Sequence, residues 1–125
     1  MQTKIQLSCG SLYLDIRRAE LPLDELLDFA TRSNPKRGFL FGSKVLGKHW
    51  PCTPFKMRLI YDLLAQKIKP SSVQTLVLGM AETATGLGAG VADSLVRLGA
   101  DKVIYQQTTR HELPLETLIT FDEVH

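Results

Sequence analysis

The fold of this 125-residue chain is decided by residues 73–107, which read VQTLVLGMAETATGLGAGVADSLVRLGADKVIYQQ. The apolar composition of Val73 to Leu78 predicts a buried strand. A turn of small and hydroxyl-bearing residues follows at Gly79 to Gly88. Apolar residues then recur at helical spacing and predict a helix: Leu87, Val91, Leu95 and Leu98.

The sequence also indicates where the helix ends and where a second strand follows. Gly99 suits the position just after a helix, where a positive φ is common. Lys102 to Gln107 predicts a second strand. Strand, turn, helix and strand make a βαβ unit, in which the strands pair in parallel and the crossover is right-handed. The chain is therefore expected to belong to the α/β class.

Shorter elements are predicted N-terminal to this unit. Residues 4–16 alternate apolar and polar around Cys9-Gly10 and predict a hairpin. Pro22 is expected to open a helix that stops at Asn34-Pro35. The apolar face of that helix is predicted to contain Leu23, Leu26, Leu27 and Ala30.

A strand and a further helix are predicted before the βαβ unit. Gly38 to Gly42 is a short apolar run typical of a strand, and a loop or strand extension follows to His49. Thr53 is expected to cap a helix that starts at Pro54 and ends before Pro70. Its core-facing residues are predicted to be Phe55, Leu59, Ile60, Leu63 and Leu64. One more apolar segment, residues 115–121, lies near the end.

The composition predicts one globular domain. The chain is 44% hydrophobic and 22% charged, and no run approaches the roughly 20 apolar residues that span a membrane. The first residues contain no stretch resembling a signal peptide. Cys9 and Cys52 are too few for a disulfide scaffold, so we expect reduced thiols and a cytoplasmic location.

The charge is distributed unevenly. The net charge is only +2, yet no carboxylate occurs from Phe29 to Tyr61. That segment contains seven cations: Arg32, Lys36, Arg37, Lys44, Lys48, Lys56 and Arg58. Such a field attracts phosphate-bearing partners, although a solvated basic face is the alternative. A nucleic-acid binder is less favoured, because such domains usually have a higher pI.

The turn at Gly79 to Gly88 is a candidate anion site. It lies between the end of a strand and the start of a helix, where open α/β sheets bind ligands and free N–H groups favour negative charge. Glycines let the backbone approach an anion and threonines add hydroxyl donors: Gly79, Gly86, Gly88, Thr83 and Thr85. A tight structural turn that needs small residues is the alternative.

Two familiar phosphate motifs do not fit this turn. A Walker A loop needs Lys after its last glycine, and Leu87 follows Gly86. The dinucleotide motif needs wider glycine spacing and an acidic residue after the second strand, which ends in Gln106-Gln107. Arg110, beyond that strand, is a candidate phosphate ligand or an ordinary strand-end arginine. Glu82 is a candidate to orient a ligand hydroxyl or a metal-bound water, or a solvated turn residue.

Other chemistry has little support. His49 and Cys52 have no second pair to complete a metal site. The chain has no Gly-x-Ser-x-Gly elbow for a nucleophilic serine. Trp50 and Phe55 are candidates for base stacking, with ordinary packing as the favoured alternative.

Several segments together resemble a known family. Asn34 to His49 and Gly79 to Gly88 are similar to the phosphoribosyltransferases encoded in tellurite-resistance-type (Ter) bacterial stress operons. Tyr105 to Arg110 and Asp122 to His125 extend the similarity, which runs from about Leu12 onward. The resemblance implies a type I phosphoribosyltransferase fold, with a parallel sheet flanked by helices and a smaller hood.

The resemblance also implies an activity and a site. Such enzymes bind 5-phosphoribosyl 1-diphosphate with Mg²⁺ and exchange its pyrophosphate for a nitrogen of a base, here unidentified. The implied pyrophosphate-binding residues are Met80, Ala81, Glu82, Thr83, Ala84, Thr85, Gly86, Gly88 and Arg110. The implied substrate or phosphate contacts are Arg37, Ser43, Lys44, Lys48 and His49. No catalytic residue is assigned.

One departure from the family pattern bears on catalysis. Type I enzymes hold the ribose with an Asp-Asp-x-x-Thr-Thr-Gly motif, and Met80 and Ala81 stand where the turn would need both carboxylates. We expect that motif to follow His125, so residues 1–125 represent the N-terminal portion of the domain with an incomplete sheet. The alternative function is a non-catalytic module that acts through a partner or through self-association.

Overall fold

The computed structural model describes residues 2–33, 38–48, 50–69 and 73–121. The elements, in chain order, are β1 (Gln2–Leu7), β2 (Gly10–Asp15), α1 (Leu23–Leu26), β3 (Leu27–Thr31), β4 (Phe39–Ser43), α2 (Pro54–Ala65), β5 (Thr75–Gly79), α3 (Thr85–Arg97) and β6 (Val103–Gln107).

The strands form three separate two-stranded sheets. β1 pairs with β2 and β3 with β4 in antiparallel fashion, whereas β5 and β6 are parallel. The α/β class is therefore confirmed. The single parallel sheet flanked by helices that the resemblance implies is not formed by the described residues, because each sheet contains only two strands.

The predicted βαβ unit is present. β5 and β6 pair in register from Thr75 opposite Val103 to Gly79 opposite Gln107, and α3 packs against both strands. Gly99 has a φ of +94° directly after the helix, as its sequence position predicts. Every part of this unit is specified by residues close together in the chain.

The main core lies between α2 and α3. Tyr61 and Ala65 of α2 pack against Val91 and Leu95 of α3. The two helices approach closely at Gly90, where an added Cβ would lie 2.2 Å from atoms of the Tyr61 ring. The glycine is therefore required by helix packing.

A polar cluster joins the same two helices at the edge of this core. The fully buried Ser94 hydroxyl donates to Asp62 Oδ1 at 2.6 Å. Arg58 of α2 forms an ion pair with Asp93 of α3 and donates to Ser94 Oγ at 3.4 Å. The bond between Ser94 and Asp62 helps to fix the rotation of α2 against α3, because the buried Ser94 hydroxyl needs a partner.

Because Tyr61 is buried, the free energy of unfolding is expected to change with pH in the alkaline range. Desolvation raises the pKa of the Tyr61 hydroxyl above its ordinary value of 10.0. Above pH 10 the unfolded chain loses that proton more readily than the folded chain, so the free energy of unfolding falls as the pH rises. We expect chemical denaturation between pH 8 and 11 to show a smaller fall for Tyr61→Phe than for wild type. Equal slopes for both proteins would contradict the prediction.

The N-terminal elements agree with the sequence in one case and differ in another. The β1–β2 hairpin is confirmed, with Ile5 opposite Leu12. The helix expected from Pro22 to Asn34 is wrong, because α1 has only one turn and Leu27–Thr31 is β3. The physical reason is pairing with β4, in which the Phe29 and Phe41 rings meet edge to face at 5.3 Å. The predicted stop at Asn34-Pro35 lies outside the described residues.

Helix α2 begins as predicted but turns a different face to the core. The Thr53 hydroxyl accepts from the Lys56 amide at 3.3 Å, which confirms the cap. The prediction that Phe55, Leu59 and Leu64 face the core is wrong, since all three are exposed and Phe55 is 77% exposed. The core face is instead the one that meets Gly90.

The residues on another side of α2 line an apolar groove. Ile60, Leu63 and Leu64 face residues 16–26 across a space of about 370 Å³. At its rim, the Lys67 ammonium donates to Glu20, which also pairs with Arg18. The hydrogen bond from Lys67 holds the pKa of the Glu20 carboxyl below its usual value.

Two apolar surfaces stay exposed around the βαβ unit. Leu76, Leu78 and Ile104 are on the side of β5 and β6 that faces away from α3, so the predicted buried strand is covered on one side only. Residues 115–121 form neither helix nor strand, and their large apolar side chains are exposed. None of the helices in the described part of the chain is long and apolar enough to cross a membrane.

Candidate functional site

The loop that joins β5 to α3, residues 80–84 and here called the site loop, is anchored to the end of β6. The Ala81 amide donates to Thr108 Oγ1 at 2.8 Å, and the Thr108 amide donates to the Gly79 carbonyl at 3.0 Å. The Ala84 amide closes the turn on the Met80 carbonyl at 2.9 Å. The Ala81–Glu82 peptide bond is cis. The position of the loop is thus fixed by both strands of the parallel pair.

Tyr105 of β6 packs against both ends of the site loop. Its hydroxyl donates to the Thr85 carbonyl at 2.8 Å. Its ring fills the space beside Gly79 and Gly88, where an added Cβ would come within 3.0 Å of ring or backbone atoms. These two buried glycines therefore serve the packing of strand, loop and helix, and they do not face an open surface.

The site loop and the first turn of α3 contain backbone donors without an acceptor. Its N-cap residue, Ala84, makes no side-chain capping bond. Among the described residues, no acceptor is found for the amides of four positions: Glu82, Thr83, Gly86 and Leu87. A Cβ at the exposed Gly86 would meet nothing within 4 Å. The helix therefore directs free N–H groups and its positive dipole end at open space, which is the geometry that binds anions.

Lys48 brings a cation to the same place. Its ammonium donates to Thr83 Oγ1 at 2.7 Å, although the two residues are 35 positions apart. Lys48 and Thr83 are both exposed, so an anion at the start of α3 can reach the ammonium as well as the amides. An ammonium beside uncapped amides suits a ligand that carries several anionic oxygens.

The other residues of the predicted contact set are engaged elsewhere or lie outside the description. Ser43 Oγ accepts from the Val45 amide at 3.2 Å. The Lys44 ammonium donates to the Asp24 carbonyl at 2.9 Å and lies 3.8 Å from Asp28 Oδ2. Arg37 and His49 lie outside the described residues.

Arg110 follows β6 at the edge of the sheet where the site loop lies. It is exposed and follows Thr108, the anchor of the loop, by two residues. It has an interaction of its own, so it is not an unpaired cation. Arg110 therefore lies at the same edge of the sheet as the site loop, and its role as a phosphate ligand stays a prediction.

The basic segment is only partly available to a ligand. Lys44 is paired with Asp28, and Arg58 is paired with Asp93. Trp50 lies against Gly42, where an added Cβ would be 2.3 Å from the indole, which favours packing over base stacking. Among the described residues of the basic segment, Lys48 is the cation whose hydrogen bond reaches the site loop.

The residues that hold the loop were not identified from the sequence. Thr108 and Tyr105 lie within the Tyr105 to Arg110 segment that carries the resemblance, but no role followed from their residue types. Their signal is positional: Tyr105 points from β6 toward the helix side, and Thr108 is the first residue after the strand.

A family model described as phosphoribosyl transferase matches residues 26–125. No curated protein and no solved structure matches the chain. The matched segment begins later than Leu12, leaves out the β1–β2 hairpin, and contains the site loop, Lys48 and Arg110. Since the match spans most of the sequence, the chain belongs to the phosphoribosyl transferase family.

Proposed function

We propose that the chain binds the diphosphate group of 5-phosphoribosyl 1-diphosphate at the site loop and takes part in phosphoribosyl transfer to a nitrogenous base. One observation carries the proposal: the uncapped amides of α3 and the Lys48 ammonium converge on open space at the edge of the parallel strands. Membership of the phosphoribosyl transferase family supports the choice of a diphosphate as the anion.

The donors suit the chemistry of this transfer. Displacement at the anomeric carbon passes through an oxocarbenium-like state, in which negative charge grows on the departing diphosphate. Amides that are already oriented stabilise that charge without reorganising, and Lys48 adds a formal positive charge. Binding the diphosphate also fixes the position of the sugar relative to the incoming nitrogen. The chain would thus contribute leaving-group stabilisation and orientation.

Mg²⁺ is proposed to arrive with the ligand. Within the described ranges, no group of three or more His, Cys, Asp or Glu residues could hold a metal ion. The site loop has one carboxylate, Glu82, and the hydroxyls of Thr83 and Thr85 are near it in sequence. This set fits an ion that is held mainly by phosphate oxygens and water, which is how Mg²⁺ commonly binds. The ion would neutralise part of the diphosphate charge.

Titration calorimetry with magnesium pyrophosphate tests the anion site. We expect wild type to bind and Gly86→Val to lose affinity by about tenfold or more. The valine side chain would extend into the open space at Gly86, where an added Cβ meets no protein atom within 4 Å. Valine is also no worse than glycine in a helix, so the fold should persist.

Thermal denaturation is the control that distinguishes a blocked anion site from a damaged fold. The melting temperature of Gly86→Val should stay within a few degrees of wild type. Equal affinity in both proteins would contradict the proposed location of the site. Absence of heat from wild type in millimolar magnesium pyrophosphate would contradict the proposed binding itself.

A second candidate function is binding without turnover. Met80 and Ala81 stand where the ribose motif would place two carboxylates, and the site loop has no carboxylate other than Glu82. The chain would then act as a non-catalytic module through a partner or a second copy. The two candidates differ in the release of pyrophosphate from 5-phosphoribosyl 1-diphosphate when a panel of bases is added, which only the transferase produces.

The cellular setting is also a proposal. We place the protein in the cytoplasm, where 5-phosphoribosyl 1-diphosphate is made, in a tellurite-resistance-type stress response. Imaging of a fluorescent fusion would test the location. Loss of tellurite tolerance on deletion of the gene would test the response.

A further inference from the structure

A side chain of β6 is bonded to the backbone at the start of α3. The Tyr105 hydroxyl donates to the carbonyl oxygen of Thr85, the first residue of that helix, at 2.8 Å. This carbonyl and the Gly86 amide belong to one peptide unit, in which the C=O and N–H bonds lie in one plane and point in opposite directions. Tyr105 therefore holds one end of a peptide whose other end is the Gly86 N–H.

The Gly86 N–H is one of the donors that a ligand can reach. It has no acceptor within the described part of the chain. A Cβ at Gly86 would meet nothing within 4 Å, so the helix is open to solvent at this residue. The Lys48 ammonium donates to the hydroxyl of Thr83 at 2.7 Å and so lies near the same helix start. The peptide that Tyr105 holds is thus part of the candidate anion site.

Packing fixes the position of the Tyr105 hydroxyl. An added Cβ at Gly88 would lie 2.9 Å from Cε2 of the ring, and one at Gly79 would lie 2.9 Å from the hydroxyl oxygen. Both glycines are buried, so the ring occupies a slot that their missing side chains leave open. Phenylalanine would fill this slot equally well, whereas the bond to the Thr85 carbonyl needs the hydroxyl. The packing of the ring alone does not account for a tyrosine.

We propose that Tyr105 is a positioning residue of the anion site, whose hydroxyl orients the Thr85–Gly86 peptide and polarises its N–H toward the bound diphosphate. The inference rests on the proposed function, since it concerns the same site. Hydrogen bonds in a chain polarise one another and strengthen each other by roughly 10–30% per bond. A donor that is oriented before the ligand arrives also needs no reorganisation when negative charge develops. Tyr105 acts through the Gly86 amide and makes no contact with the ligand.

Tyr105→Phe tests the hydroxyl while the ring stays in its slot. In titration calorimetry with magnesium pyrophosphate, the dissociation constant should rise about three- to tenfold relative to wild type. Tyr61→Phe is the matched control, because it removes the hydroxyl of a buried tyrosine that packs further along α3. The control should leave the affinity unchanged. Melting temperatures within a few degrees of wild type would show that both variants keep the fold.

Two further measurements distinguish a weakened donor from a displaced loop. In a Gly86→Val background, where the site is already blocked, Tyr105→Phe should cause little further loss of affinity. Nuclear magnetic resonance of the ligand-free protein should show the Gly86 amide resonance shifted in Tyr105→Phe and unshifted in Tyr61→Phe. The Ala81 amide, which donates to Thr108 Oγ1, should keep its resonance in both variants.

The outcomes separate this inference from the proposed function. Absence of heat from wild type would remove the proposed function, and the inference would fall with it. Binding by wild type with equal affinity in Tyr105→Phe would overturn the inference alone. The same conclusion would follow from an unshifted Gly86 resonance, from a shift of Ala81 as large as that of Gly86, or from an equal loss of affinity in the wild-type and Gly86→Val backgrounds.

Discussion

Gly90→Ala is expected to lower the free energy of unfolding by about 2–3 kcal/mol. The added Cβ would lie 2.2 Å from Cδ2 and Cε2 of Tyr61 and 2.6 Å from Cγ, far inside van der Waals contact. Tyr61 is buried in the core between α2 and α3, so its ring cannot turn away without moving the helices apart. The loss exceeds the gain of roughly 0.5–1 kcal/mol that alanine normally brings to a helix.

Gly86→Ala is the matched control, because it makes the same change in the same helix. Its Cβ would meet nothing within 4 Å, so stability should be unchanged or rise by up to about 1 kcal/mol. Thermal denaturation should therefore place the melting temperature of Gly90→Ala roughly 10 °C below wild type and that of Gly86→Ala at or slightly above it. A similar response of the two variants would show that Gly90 is not a close-packing residue.

A double-mutant cycle assigns the cost to one contact. In a Tyr61→Leu background the smaller side chain leaves room at Gly90, so Gly90→Ala should cost much less there than in wild type. If the cost is the same in both backgrounds, the loss arises from some other part of the helix. If Gly90→Ala alone is too unstable to purify, a folded Gly90→Ala/Tyr61→Leu double variant would itself indicate that the Tyr61 ring causes the loss.

The parts of the fold predicted correctly are those specified by neighbours in the chain. The βαβ unit follows from periodicity, and the Thr53 cap and Gly99 follow from local backbone chemistry. Prediction failed where a distant segment decided the outcome. Residues 27–31 continue a helical pattern, yet they pair with β4 and become a strand.

The same distinction explains the orientation of α2. Phe55, Leu59 and Leu63 recur at helical spacing and suggest one face. In the structure, α3 meets the side with Tyr61 and Ala65 instead. What decides this is Gly90, about 30 residues further on, where the absence of a side chain admits the Tyr61 ring. No pattern within α2 contains that information.

The candidate site divides in a similar way. The order of strand, turn and helix N-terminus was predictable because its chemistry is local, and anion binding there stays a prediction. Which glycine is open to solvent was not predictable, since Gly79 and Gly88 are indistinguishable from Gly86 in the sequence until the Tyr105 ring is placed against them. The contact of Lys48 with Thr83 likewise depends on how two distant segments pack.

Reversing the charge of Lys48 should have the largest effect on ligand affinity. Lys48→Glu removes an ammonium that sits 2.7 Å from Thr83 Oγ1 at the start of α3 and puts a carboxylate in its place. Hydrogen bonds to charged groups contribute about 1.5–3 kcal/mol, and repulsion adds to their loss. We therefore expect the dissociation constant for magnesium pyrophosphate to rise roughly 30-fold or more in calorimetry at low salt.

Lys56→Glu provides the control that distinguishes a direct contact from the general positive field. It makes the same change in net charge within the same carboxylate-free segment, and Lys56 lies exposed in the first turn of α2. If Lys48 binds the anion directly, Lys48→Glu should weaken affinity far more than Lys56→Glu, and the gap should persist at 0.5 M salt, where long-range attraction is screened. Equal effects that both vanish in salt would mean that the basic segment attracts the ligand without Lys48 touching it.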